Sequence, residues 1–199
     1  MKIPRKYYLT DDVVYLARDL LGKYLFTDFG NGLTAGLITE TEAYNGENDR
    51  ASHAYGGLFS ERTKVMYEEG GIAYVYLCYG IHSLFNIVTG RRGTPHAVLV
   101  RGIYPVRGSV LMAERTGKSK VGHMQTNGPG KLSKALGIHF SHTGTDLNGN
   151  TIWLEDRGYT AKIEDILVSE RIGVDYAGED AKLPYRFNLK NIKKSLIVS

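Results

Sequence analysis

Three apolar runs, rich in β-branched and aromatic residues, follow one another closely between residues 72 and 106. They cover residues 72–79, 83–89 and 97–106, and short glycine-containing segments separate them. Runs of this length and composition, joined by short turns, predict adjacent antiparallel strands. A further hairpin is predicted for residues 23–29 and 33–44, around Gly30-Asn31-Gly32. These segments together predict a sheet of mostly antiparallel strands.

Helical segments are expected around this sheet. Apolar periodicity predicts helices over residues 10–21 and 109–116, with Thr10 as the cap of the first, and shorter ones over 60–67 and 131–136. Short strand-like runs lie at 151–154 and 163–168. Neither a repeat nor a linker divides the chain. We therefore expect a single α+β domain over residues 1–199, with a curved, mostly antiparallel β-sheet, surrounding helices and a protruding β-hairpin.

Composition excludes several classes of protein. Hydrophobic residues make up 42% of the chain and charged residues 23%, which is typical of a folded, soluble protein. Apolar runs fall short of the roughly 18 residues that predict a membrane span, and residues 1–12 lack the apolar core of a signal peptide. Cys78 is the single cysteine, so neither an intrachain disulfide nor a cysteine-rich metal site is possible. A cytoplasmic protein is the simplest expectation.

Charge is distributed unevenly along the chain. The net charge is +4, but residues 101–134 contain seven Lys or Arg and one acid, Glu114, whereas residues 40–69 are rich in acids. A basic region beside an acidic one suggests a polyanionic partner and a chemically distinct pocket. The basic run by itself is also compatible with an ordinary solvated surface.

Two carboxylates end the strand predicted at residues 33–44. If the strand is regular, Ile38, Glu40, Glu42 and Tyr44 share one face, with the two glutamates about 6–7 Å apart at their Cα atoms. Such a pair could supply an acid and a base or bind a metal. It could also be an edge strand that uses charge against aggregation. The preceding apolar residues favour a functional pair, because half-buried glutamates are costly unless paired.

Tyrosines mark the strand at residues 72–79. Tyr74 and Tyr76 share a face, and we interpret Tyr74 as core. Tyr79 precedes Gly80 at the expected hairpin tip, where an aromatic ring covers no core. A ring there could stack on a nucleobase or wedge between base steps.

Other polar residues remain ambiguous on the sequence alone. Asn86 lies inside an apolar run and Arg101 directly follows one, so each could belong to a structural network or contact a polar ligand. His53 is a lone loop histidine, and residues 128–132 resemble a helix start more than a phosphate-binding loop.

The chain strongly resembles the alkyladenine (3-methyladenine) DNA glycosylase family. The resemblance lies in five stretches that occur in family order and cover most of the chain. They are residues 40–57 (ETEAYNGENDRASHAYGG), 73–88 (AYVYLCYGIHSLFNIV), 97–106 (AVLVRGIYPV), 127–138 (NGPGKLSKALGI) and, more loosely, 171–187 (RIGVDYAGEDAKLPYRF). The segments 58–63 and 68–70 depart from the family pattern, which puts local DNA contacts there in doubt.

The resemblance implies a role for each candidate residue. Glu42 matches the general base, and Glu40 is left with a structural role. Residues matching those that enclose the flipped base are Tyr44, His53 and Tyr76, while Asn86 matches the residue that discriminates against the 2-amino group of guanine. Tyr79 matches the residue inserted into the duplex, and Arg101 matches one that contacts DNA near the lesion.

The implied activity is that of a monofunctional DNA glycosylase in base excision repair. It would flip damaged purines (3-methyladenine, hypoxanthine, alkylated or etheno purines) from double-stranded DNA and leave an abasic site. Neither a metal nor an organic cofactor is implied, and we expect a nucleoid-associated monomer. A non-catalytic nucleic-acid-binding domain and a hydrolase of free nucleosides are the alternatives.

Overall fold

The computed structural model describes residues 1–192 and contains eight strands and four α-helices there. The strands are β1 (Tyr24–Asp28), β2 (Leu33–Tyr44), β3 (Ala73–Cys78), β4 (His82–Thr89), β5 (His96–Arg107), β6 (Ile152–Glu155), β7 (Ile166–Ser169) and β8 (Arg186–Leu189). The helices are α1 (Val13–Asp19), α2 (Ser109–Thr116), α3 (His123–Thr126) and α4 (Pro129–Leu136). Short 3₁₀ turns lie at Arg5–Leu9, Gly46–Asn48, Tyr55–Gly57, Lys64–Tyr67, Phe140–His142, Ile163–Asp165 and Asp175–Lys182. The predicted domain also includes residues 193–199, which lie outside the described residues.

All strands belong to one antiparallel sheet, in which β3-β4-β5-β2-β1-β6 are neighbours in that order. Strand β8 pairs with β2 and with β7. Two strands pair with the same edge of β2. Strand β1 pairs with residues 33–37 of β2, and strand β8 pairs with residues 40–42. The predicted α+β class with a curved antiparallel sheet is confirmed.

Side-chain alternation divides the sheet into an apolar face and a polar one. On β4, Phe85 and Ile87 enter the main core, whereas Asn86 between them faces a pocket. Helices α1 and α4 cover the apolar face; their buried contributors are Val13, Leu16, Ala17, Leu132, Ala135 and Leu136. Because successive side chains on a strand point to opposite faces, one sheet supplies both the core and the pocket floor.

The regular alternation predicted for β2 is wrong in its middle. The register against β5 shifts between Ile38 and Glu40 and again between Glu40 and Thr41. A bulge inserts an extra residue and reverses which side chains face the core. Ile38 therefore shares the main core with Ala43, while Glu42 points to the opposite face.

Some predicted element boundaries also differ from the structure. Asp12, not Thr10, caps α1, and its carboxylate accepts a hydrogen bond from the Tyr15 amide at 2.8 Å. The helix predicted from Ser60 is a turn followed by a 3₁₀ segment that starts at Lys64. Strand β8 and helix α3 lack a clear sequence pattern and were not predicted. Within residues 1–192, every helix is too short or too polar to cross a membrane.

Two glycines that flank α2 provide a matched test of backbone packing. Both have left-handed φ angles, 74° at Gly108 and 67° at Gly117. A Cβ at Gly108 would lie 2.5 Å from the Leu33 carbonyl oxygen, whereas a Cβ at Gly117 would have no atom within 4 Å. We expect Gly117→Ala to lower the free energy of unfolding by about 1–2 kcal/mol, the cost of the left-handed conformation. Gly108→Ala should cost about 1–3 kcal/mol more, because β2 must move.

Urea denaturation of the two variants measures this difference directly. Equal losses of stability would show that the approach of Gly108 to β2 does not constrain the fold.

Candidate active site

One cross-strand row of residues spans the floor of the site. Tyr74 on β3 lies opposite Asn86 on β4, and Asn86 lies opposite Leu99 on β5. Leu99 in turn lies opposite Glu42 on β2. Neighbouring strands are about 4.8 Å apart, so Tyr74 and Glu42 stand at the two ends of a row about 14 Å long between Cα atoms.

A cavity of about 210 Å³ lies over this row. This volume is below the range of roughly 300–1,000 Å³ that drug-sized ligands occupy, so it suits a single flat ring system better than a whole nucleotide. Six residues singled out from the sequence line it together: Tyr44, His53, Tyr76, Tyr79, Asn86 and Arg101. Glu42, which completes the predicted set, lies directly behind the cavity wall.

Glu42 is fully buried, accepts two hydrogen bonds and forms one ion pair. The Ile172 amide donates to Oε1 at 2.8 Å, and the Tyr44 hydroxyl donates to Oε2 at 2.8 Å. Arg101 Nη1 lies 3.3 Å from the same Oε2. Burial raises the pKa of Glu42, while the charge of Arg101 and the two hydrogen bonds act in the opposite direction.

Glu40 accepts from two guanidinium groups and fixes the position of Arg101. Arg101 Nε donates to Glu40 Oε1 at 3.0 Å, and Arg186 Nε donates to the same oxygen at 2.6 Å. The side chain of Arg101 is only 11% exposed, and it bridges the two glutamates at the cavity. The structural role predicted for Glu40 agrees with these contacts. A DNA contact by Arg101 stays a prediction.

The wall beside Tyr44 depends on a buried ion pair that was not predicted from the sequence. Arg171 donates to both carboxylate oxygens of Asp49 and, at 2.9 Å, to the Ala43 carbonyl. Its guanidinium also lies 4.9 Å from the centre of the Tyr44 ring. The next residue, Ile172, supplies the amide that contacts Glu42. Arg171 therefore anchors the segment that closes the pocket.

His53 stands at the other end of the row, between two hydrogen-bonding partners. Its Nδ1 lies 2.8 Å from the Tyr74 hydroxyl, and Arg62 Nη2 lies 2.9 Å from its Nε2. Burial and the charge of Arg62 lower the pKa of His53 from 6.5 to about 4. His53 is consequently neutral at physiological pH. No pattern around Arg62 predicted this contact, and the residue lies in the segment that departs from the family pattern.

Tyr74 and Tyr76 form an aromatic side of the cavity. Their ring centres are 5.5 Å apart, and the His53 ring meets Tyr76 edge-on at 4.6 Å. Tyr74 is only 3% exposed and packs on Met66, so its interpretation as a core residue is confirmed. Its hydroxyl nevertheless reaches the cavity beside His53. Burial raises the pKa of both phenols.

Asn86 has a defined amide orientation. Its Nδ2 donates to the backbone carbonyls of Tyr74 at 3.1 Å and Leu84 at 3.2 Å. Both amide hydrogens are thus used, which leaves Oδ1 as the acceptor that Asn86 offers to the cavity.

Tyr79 lies at the tip of the β3–β4 hairpin and is 92% exposed. Its φ of 50° is the only positive value at a non-glycine residue among residues 1–192. Left-handed backbone at such a residue is uncommon and often marks a functional position. The ring borders the cavity, and the neighbouring Ile81 is also exposed.

Comparison with known proteins identifies the family of the chain. A family model described as methylpurine-DNA glycosylase matches residues 7–193. The chain belongs to the methylpurine-DNA glycosylase family. Relatives of this glycosylase family include a Chlamydia felis protein, 45% identical over 97% of this chain and 98% of its own length. A Carboxydothermus hydrogenoformans protein is 44% identical over 97% of this chain and 97% of its own length. A Methanocella arvoryzae protein is 42% identical over 95% of this chain and 92% of its own length. All three carry the provisional name 3-methyladenine DNA glycosylase.

Within residues 1–192, three or more His, Cys, Asp or Glu side chains do not come together in an arrangement that could bind a metal ion.

The Arg62–His53 contact generates a pH prediction. Arg62→Met removes a positive charge beside the ring, so the pKa of His53 should rise from about 4, while burial keeps it below 6.5.

His53 has a folded-state pKa below its unfolded value. Its contribution to stability is therefore present above about pH 6.5 and is lost as the pH falls toward about 4.

NMR titration of the His53 ring measures the change, with the exposed Arg91→Met as the matched control. An unchanged pKa in Arg62→Met would contradict the contact.

Proposed function

We propose that the protein is a monofunctional DNA glycosylase of base excision repair that removes 3-methyladenine, hypoxanthine and related damaged purines from duplex DNA. Family membership supports this activity. The observation that carries it is the fully buried carboxylate of Glu42 behind a base-sized aromatic cavity whose mouth is bordered by an exposed tyrosine. The chromosome is the substrate, so we expect the protein in the cytoplasm with the nucleoid, acting as a monomer.

Access to the base requires its extrusion from the duplex. Unpairing and unstacking cost a few kcal/mol, and least for a damaged or mispaired base. Tyr79 would enter the space that the base leaves, because its ring stands free at the hairpin tip. An apolar wedge of this kind stabilises unstacked DNA from the minor groove.

The extruded purine would lie between Tyr44 and Tyr76 with His53 at its edge. Stacking of a base on an aromatic ring contributes about 1–3 kcal/mol. Cationic alkylated purines should gain further from the electron-rich faces of the tyrosines. Asn86 lies on the floor, where its bulk, held in place by the two hydrogen bonds of Nδ2, would act against a 2-amino group.

Glu42 would activate water for the hydrolysis. A carboxylate has about four lone-pair sites, and the hydrogen bonds from Ile172 and Tyr44 occupy two of them while Arg101 forms an ion pair with Oε2, so a site remains for a water. The water oxygen bonds to the sugar C1′ and gives its proton to Glu42, while the electrons of the N-glycosidic bond leave with the base. The negative charge also stabilises the oxocarbenium-like sugar. Lysine is absent from the lining within residues 1–192, and no lyase step is proposed.

Substitution of Glu42 tests the chemistry. Glu42→Gln can keep the contacts from Ile172 and Tyr44 but cannot take a proton, so release of free base from duplex DNA containing hypoxanthine should fall by at least about 100-fold. Binding to the same DNA should be retained. Gel-based detection of alkali-labile sites and mobility-shift titration measure the two properties.

Free deoxyinosine is the control substrate in this assay. Turnover of the nucleoside would favour a nucleoside hydrolase, and duplex binding without any base release by the native protein would favour a non-catalytic binding domain. Loss of binding together with activity in Glu42→Gln would indicate a structural role.

Tyr79 should contribute to affinity through its ring and not through charge. Tyr79→Ala should weaken lesion-DNA binding by about 1–3 kcal/mol, or about 5- to 150-fold. The slope of log affinity against log salt should stay unchanged, because that slope reports phosphate contacts by Lys and Arg. Dissociation constants over a salt series, with the exposed Tyr15→Ala as control, measure both quantities. A flat salt response of the native protein would contradict DNA binding.

A further inference from the structure

The direction of each hydrogen bond at the His53 end of the cavity can be assigned from donor chemistry. A guanidinium group has N–H donors and no acceptor. Because Arg62 Nη2 lies 2.9 Å from His53 Nε2, this ring nitrogen must be the acceptor and carries no hydrogen. In neutral imidazole the hydrogen then resides on Nδ1. His53 is therefore the donor in its 2.8 Å contact with the Tyr74 hydroxyl.

The hydroxyl hydrogen of Tyr74 is left without an acceptor on the protein. Among residues 1–192, the partners of this hydroxyl are His53 Nδ1, which donates to it, and the guanidinium of Arg62, which has no acceptor. Tyr74 is 97% buried, so its hydrogen does not simply point to bulk water. Tyr74 and its partner His53 both line the cavity, so a molecule bound there can supply the acceptor for this hydrogen.

We infer that the relay Arg62–His53–Tyr74 makes Tyr74 a hydrogen-bond donor to the bound base and a specificity-determining residue for purines with an oxygen at C6. This inference rests on the proposed function and concerns the substrate class of that site. Asn86 supports it, because Tyr74 and Asn86 are direct cross-strand neighbours and Asn86 presents an acceptor oxygen beside the donor.

This donor–acceptor pair matches one type of purine edge. The six-membered ring of hypoxanthine presents an acceptor, O6, next to a donor, N1–H. Adenine-type bases present a 6-amino donor next to the acceptor N1. Their 6-amino group and the Tyr74 hydroxyl would then be two donors that face each other. The row geometry agrees, because Glu42 at one end would meet the glycosidic bond and Tyr74 at the other end the distant edge of the ring. A site that hydrogen-bonds a substrate group discriminates against analogues that lack it.

Two substitutions should produce the same selective defect. Tyr74→Phe removes the donor and keeps the ring. Arg62→Met frees His53 Nε2 to take the hydrogen, so that Nδ1 can accept from Tyr74 and turn the hydroxyl away from the base. In either variant we expect single-turnover release of hypoxanthine to fall about 5- to 10-fold, and release of 3-methyladenine from alkylated duplex DNA to change by less than about twofold.

Two further variants separate the relay from a merely structural effect. Arg62→Lys keeps a side chain that only donates and should restore the native ratio of hypoxanthine to 3-methyladenine release. The double variant Arg62→Met/Tyr74→Phe should be no worse than either single variant, because both remove the same donor. Equal losses for the two bases, or additive losses in the double variant, would overturn the inference.

The ¹⁵N chemical shifts of the His53 ring provide a readout that does not require catalysis. The native protein and Arg62→Lys should show hydrogen on Nδ1, whereas Arg62→Met should show it on Nε2. Hydrogen on Nε2 in the native protein would overturn the relay. A native protein that releases neither base would overturn the proposed function, and the ¹⁵N spectrum would still test the relay.

Discussion

Burial of the Glu42 charge is the constraint on which the site depends. An ionised carboxylate in a protein interior is unfavourable unless donors compensate for the water it has lost. Arg101 and the Ile172 amide are two of these donors, and each is fixed in turn by a further contact. Arg101 is held by Glu40, which also binds Arg186 on β8. Strands β2, β5 and β8 and the segment around residue 172 are thus organised around the two buried carboxylates of Glu40 and Glu42.

The bulge in β2 allows one strand to serve two environments. Before the bulge, Leu37 packs in a small core with Tyr24 and Phe26 while Ile38 enters the main core. After it, Ala43 enters the main core and Glu42 faces the pocket. Without a shift in register, the face that carries Ile38 would also carry Glu42, and the carboxylate would be driven into apolar packing. The irregular position is therefore what makes a buried carboxylate compatible with a continuous core.

Local patterns predicted most of the sheet, whereas contacts between distant residues could not be predicted. The β3–β4–β5 meander follows from apolar runs and adjacent turns. Side-chain alternation and the family resemblance together predicted that Tyr44, Tyr76 and Asn86 share one site, and all three line the cavity. The Asp49–Arg171 pair spans 122 residues, and neither partner lies in a pattern that indicates the other. A bulge likewise leaves no signature, because its residues read as an ordinary strand. Arg62 was missed for a related reason, since its role depends on where a loop folds back.

Arginine defines the proton positions at both ends of the cavity, because a guanidinium only donates. At one end, burial raises the pKa of Glu42, and the charge of Arg101 acts in the opposite direction. At the other end, burial and Arg62 both lower the pKa of His53, so the ring stays neutral with a defined tautomer. In the proposed mechanism, the same residue type thus supports the carboxylate that accepts the proton of water and, through His53 and Tyr74, the donor that contacts the far edge of the base.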